Sequence, residues 1–171
     1  MVLGMSIETF TLLHVVISLV GIATGLVALG GMLSGNRLPG WTAVFLGTTV
    51  LTTVTGFLFP ITAFTPALGV GILSSLILAV ALAALYAFHL AGAWRPIYVI
   101  TAIAALYLNV FVLVVQSFQK LSVLQPLAPT QSEPPFLFAQ GAVLALFVLA
   151  GVLALMRFRP AALASPQPAL G

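Results

Sequence analysis

Residues 9–33, TFTLLHVVISLVGIATGLVALGGML, run for twenty-five positions after Glu8 without a charged side chain. A stretch that long and that apolar reads as a membrane-spanning helix. Steps of four and three through it select His14, Ser18, Gly21, Gly25, Ala28 and Met32, so its polar and small side chains share one stripe. The stripe is a packing seam with a histidine at one end. Gly21 and Gly25 form a GxxxG pair, which lets another backbone come close where lipid gives helices no hydrophobic reason to associate. That backbone belongs either to the same bundle or to a second copy, in a homodimer or a larger membrane complex.

The rest of the composition agrees with a membrane chain. Of 171 residues, 62% are apolar and 4% charged, with a mean hydropathy of +1.28, far from the make-up of a water-soluble domain. A hydrocarbon core of ~30 Å takes about 20 residues per helix, so this length allows roughly four to six crossings and no separate soluble domain. The lipid bilayer is the first partner. The net charge of +3 is not a nucleic-acid signal, because the five basic residues stand singly or as one close pair. Cysteine is absent, which removes disulfides and thiolate ligands. No basic segment precedes the first apolar run, so that run is expected to be a helix of the mature protein and not a leader.

Turn signals divide residues 1–160 into one bundle of five transmembrane helices, at about 9–33, 41–59, 66–91, 96–118 and 135–156, with a loose tail at 161–171. Ser6 is a good N-cap for the first helix, Thr65-Pro66 starts the third, and Ser132 with the prolines behind it starts the fifth. The second helix carries Thr48, Thr49, Thr52, Thr53 and Thr55, hydroxyls that can bond the carbonyl one turn back. Arg37, Arg95, Arg157 and Arg159 fall at one end of such a bundle and Lys120 at the other. Under the positive-inside rule the N-terminus is out and the C-terminus in.

Few side chains carry chemistry. His14 lies about one turn below the outer surface and His89 about one turn above the inner one, roughly 20 Å apart along the membrane normal. One haem iron cannot take both, so a b-type haem would need a single histidine or a pair across a dimer. His89 reads with Trp94 and Arg95 as an interfacial group. At the depth of His14, the helices also bring Ser18, Thr55, Gln116 and Gln140, with Asn109 deeper. These six are the candidate ligand-binding residues, fit for a small neutral headgroup such as a quinone or a lipid headgroup; the alternative is that they satisfy each other and set helix register. Catalytic residues are not legible: no carboxylate lies within a span, and no hydrolase, metalloprotease or phosphate-loop motif occurs. Two glutamates and two histidines give no metal set, and no cofactor is named by any pattern. The chain therefore reads as a non-enzymatic accessory subunit or small-ligand binder, with a transporter or channel subunit acting as an oligomer as the alternative.

The strings Thr55-Gly56-Phe57-Leu58-Phe59-Pro60, His89-Leu90-Ala91-Gly92-Ala93-Trp94-Arg95, Asn109-Val110-Phe111-Val112 and the loop from Ala128 to Phe136 resemble a group of small uncharacterised multi-pass proteins of the bacterial inner membrane. The resemblance covers nearly the whole chain. It implies location and topology, and it carries no functional residue.

Overall fold

Ser6 opens helix α1 (Ile7–Leu33), its hydroxyl accepting from the Thr9 N–H at 3.1 Å, with Glu8 in the first turn where the helix dipole favours an anion. The helix closes past Ser34. Gly35 takes φ +76°, and the N–H groups of Gly35 and Asn36 bond back to Met32 O (3.2 Å) and Gly31 O (2.8 Å). A left-handed cap of this kind selects glycine.

The computed structural model describes residues 2–60 and 65–159, and across them the protein is all-α. After α1 come α2 (Pro39–Phe57), α3 (Pro66–Leu82, continued by a π turn at Ala83–Ala87), α4 (Trp94–Lys120) and α5 (Pro134–Arg157). A short 3₁₀ turn, Gln125–Leu127, lies between α4 and α5. The expected tail at 161–171 falls outside the described residues. Four helices (α1, α3 with its π turn, α4 and α5) are long and apolar enough to cross a membrane. The fifth, α2, has 19 residues, six of them threonine.

Most helix ends lie within two residues of expectation, and three differences bear on the fold. The third helix does not run to residue 91. It leaves α geometry after Leu82, and His89 and Leu90 take φ of +49° and +61°. The chain there turns hard to begin α4 at Trp94: Leu90 N–H bonds Ala84 O at 3.0 Å, Leu90 is buried, and Phe88 stacks flat on Trp94 at 3.8 Å. Packing has overridden local preference, since neither residue favours positive φ. Helix α4 starts two residues early, with Pro96 in its first turn, where a missing N–H costs nothing. Glu133 and not Ser132 is the N-cap of α5.

Helix α4 is the hub and touches all four others. Ala102, Ala105 and Leu106 are each 1% exposed, so small side chains sit at the crowded positions. The α1 seam is used inside the chain. A Cβ on Gly21 would lie 3.2 Å from Thr48 Oγ1, and one on Gly25 would lie 2.5 Å from Leu106 Cδ1 and 2.8 Å from Phe45 Cδ2. Gly21 and Gly25, the pair expected to serve either this bundle or a homodimer, meet α2 and α4 of the same chain. At the far end, Arg95 Nη1 donates to Leu155 O (3.3 Å) and to Phe158 O, and Arg157 Nη1 reaches Leu33 O at 3.5 Å. These bonds bring the start of α4 and the ends of α5 and α1 together.

Candidate functional site

The threonines of α2 organise the polar contacts between helices. Four of the six donate their one hydrogen to their own helix: Thr48 to Val44 O (2.7 Å), Thr49 to Phe45 O (2.8 Å), Thr53 to Thr49 O (2.9 Å) and Thr55 to Leu51 O (2.7 Å). A hydroxyl so engaged is left with lone pairs only. The helix consequently presents a row of acceptors, and two donors from other helices meet it. Asn109 Nδ2 of α4 donates to Thr49 Oγ1 at 3.2 Å, and His14 Nδ1 of α1 lies 2.8 Å from Thr55 Oγ1.

With the Thr55 hydroxyl turned back to Leu51 O, the His14 tautomer that completes the contact is Nδ1–H. Nε2 then carries the lone pair, and it has no partner among the described residues. The ring is half-buried, with Phe59 edge-on at 5.3 Å between centroids and Phe10, fully buried, 5.0 Å from Phe59. Gly56 keeps the other side open: a Cβ there would come 3.7 Å from His14 Cε1. The corner is an imidazole acceptor walled by aromatic rings.

The other expected residues are placed as follows. Ser18 is half-buried and donates to His14 O at 2.7 Å, back into its own helix. Gln140 of α5 donates to Phe111 O of α4 at 3.2 Å, while its Oε1 is buried without a partner among the described residues, as is Thr52 Oγ1. Gln116 is exposed and makes no side-chain hydrogen bond among the described residues. Four of the six are divided among an α1–α2 contact (His14 and Thr55), an α2–α4 contact (Asn109) and an α4–α5 contact (Gln140), and the six do not share one pocket. A furrow of about 560 Å³ between α2 and α3 and a smaller one of about 260 Å³ between α4 and α5 are lined by none of them. Of the interfacial trio, His89 is exposed, Trp94 stacks on Phe88, and Arg95 is turned to the end of α5. The two histidines sit at opposite ends of the bundle, His14 beside the last turn of α2 and His89 after the last turn of α3. Sequence reasoning missed Thr49 as the partner of Asn109 and Arg95 as a helix cap; only their chemistry, a donor with no visible acceptor, could have suggested either.

The loop at the His14 end is pinned by Glu133. Its carboxylate accepts from the Thr130 hydroxyl (2.8 Å), the Thr130 N–H (3.1 Å) and the Ser132 N–H (3.0 Å). Desolvation pushes the carboxyl up, but these donors, led by the Thr130 hydroxyl, outweigh it and hold Glu133 below its ordinary value. A depressed native value makes the pinning fully present above the ordinary carboxylate range and lost as pH falls through the lowered one. Amide exchange at Thr130 and Ser132, corrected for its intrinsic pH dependence, is expected to stay protected at neutral pH and to lose protection only below the ordinary carboxylate range. Glu133→Gln should remove that acid step.

Comparison with protein-family models, curated proteins and solved structures gives no match to this chain.

Proposed function

We propose that the chain is a non-enzymatic multi-pass protein of the bacterial inner membrane, N-terminus out and C-terminus in, that binds a small lipophilic molecule through its headgroup at His14. The observation that carries this reading is the half-buried imidazole whose Nδ1–H is committed to Thr55 and whose Nε2 lone pair is unpartnered among the described residues. An acceptor walled by Phe10 and Phe59 suits a ligand that offers a hydroxyl from an apolar body, such as a hydroquinone or a hydroxylated lipid headgroup. The orientation is supported by the four arginines at the end where α1 and α5 terminate, against Lys120 alone at the other. A reporter fused to the C-terminus tests it, and a periplasmic signal would reverse it.

The binding reading is tested by purification in mild detergent, solvent extraction and mass identification of what co-purifies. His14→Ala is expected to lower the amount of the retained molecule about tenfold, the scale of one buried hydrogen bond left unmade. Thr55→Val should lower it less, since the ring loses its anchor but keeps its acceptor. Equal retention by wild type and His14→Ala would remove the basis of the proposal.

A further inference from the structure

The furrow between α2 and α3 has a construction of its own. On the α2 side, Ala43 and Gly47 offer almost no side chain, and a Cβ added to Gly47 would meet nothing within 4 Å. On the other side, Leu82 and Tyr86 line it where α3 gives way to the π turn, a wider coil that offsets side chains from their α positions. Missing atoms on one wall and a displaced backbone on the other leave about 560 Å³, within the range of about 300–1,000 Å³ usual for small-ligand sites. The walls are apolar. Thr48, the one hydroxyl on the α2 wall, is turned to Val44 O.

Length and charge say what fits. The α2 wall extends over residues 43–51, about 12 Å at ~1.5 Å per residue, close to the ~15 Å depth of one leaflet of the hydrocarbon core. It opens near the start of α2, at the end that carries Arg37, Arg95, Arg157 and Arg159. Arg95 and Arg157 are engaged with helix carbonyls. Arg37 is exposed, and its guanidinium has no partner among the described residues. Its carbonyl accepts from Thr42 Oγ1 at 3.1 Å, which fixes Arg37 beside the first residues of the wall. Arg37, just ahead of α2, and Tyr86, in the π turn that ends α3, stand at the same end of the bundle. The two glutamates, Glu8 and Glu133, belong to the opposite end.

We propose that this furrow holds one acyl chain of an anionic glycerophospholipid, with its phosphate against Arg37. The site is separate from the His14 corner and does not depend on it. The test uses native mass spectrometry of the purified full chain after exposure to vesicles of equal parts phosphatidylglycerol and phosphatidylcholine. Wild type is expected to retain phosphatidylglycerol about fivefold over phosphatidylcholine, the scale of one basic residue at an anionic surface. Arg37→Gln should bring the ratio to parity with lipid still bound, and Gly47→Leu should remove the retained lipid. Unchanged thermal unfolding is expected for both variants, because neither side chain meets a packed neighbour. Equal retention of the two lipids by wild type would overturn the proposal whether or not the variants fold. So would an unchanged ratio in Arg37→Gln, full retention in Gly47→Leu, or a dimer that Gly47→Leu dissolves, which would put a second copy in the furrow.

Discussion

Gly25→Val is expected to destabilise the protein more than a substitution at any other glycine of α1. The new Cβ would lie 2.5 Å from Leu106 Cδ1 and 2.8 and 2.9 Å from Phe45 Cδ2 and Cε2, and both neighbours are 1% exposed, so neither has room to move aside. Valine adds two further carbons with one strongly preferred rotamer in a helix. Overpacking of this kind costs about 1–3 kcal/mol when the core can adjust, and the upper end is expected here because three helices meet at the point. Lipid tails are as apolar as the side chains, so α1 has little but close packing to hold it in place. Pushing it off α2 and α4 also separates His14 from Thr55, which makes loss of the retained lipophile a second readout. Gly30→Val is the control: the same helix, the same substitution, and nothing within 4 Å of the added Cβ. Denaturation in mixed micelles should show a large loss for the first and little for the second. Equal losses would mean that the α1 seam is not where the bundle is tight.

That seam was legible because small residues recur along it every three or four positions, and a membrane helix has few other uses for two glycines four apart. Ser6, the glycine after Ser34 and Thr65-Pro66 were legible for local reasons, as caps act within one turn. The candidate site was legible along one coordinate only. Counting residues from a helix end gives depth, and depth places Gln116 level with Gln140. It does not give rotation about the helix or the identity of the neighbour, so Gln116 turns outward while Gln140 finds Phe111 O. Asn109 needed an acceptor, but the choice of Thr49 depends on how α4 crosses α2. The end of α3 was invisible because its left-handed residues are His89 and Leu90, not the Gly92 that follows. A buried Leu90 and the Phe88–Trp94 stack compensate there, and such contacts exist only once α4 is docked.

Arg95→Leu is expected to free the C-terminal end of α5 while leaving the α1–α2 seam intact. Helix α5 is the most lightly held of the five: in its central stretch only 6% is buried, and Phe136 and Ala154 are its only buried residues. Its last carbonyls have no partners within the helix and sit at the negative end of the dipole. The Arg95 guanidinium answers both needs, donating to Leu155 O and Phe158 O, next to Phe158, whose ring is buried 6.2 Å from Tyr98. Hydrogen bonds from a charged donor are worth about 1.5–3 kcal/mol each, and a leucine would leave the carbonyls without that donor. Amide exchange in the last two turns of α5 should rise by at least tenfold, and a protease should cut after Arg157 more readily, with exchange in α1 unchanged. Arg95→Lys keeps the charge but not the planar fork, so it should recover part of the protection. An α5 end that stays as protected in Arg95→Leu as in wild type would return Arg95 to the headgroup role its neighbours suggest. The same variant separates the arginines by task. With its guanidinium turned to backbone carbonyls, Arg95 should contribute nothing to the retention of phosphatidylglycerol, and Arg95→Leu should leave untouched the lipid preference that Arg37→Gln abolishes.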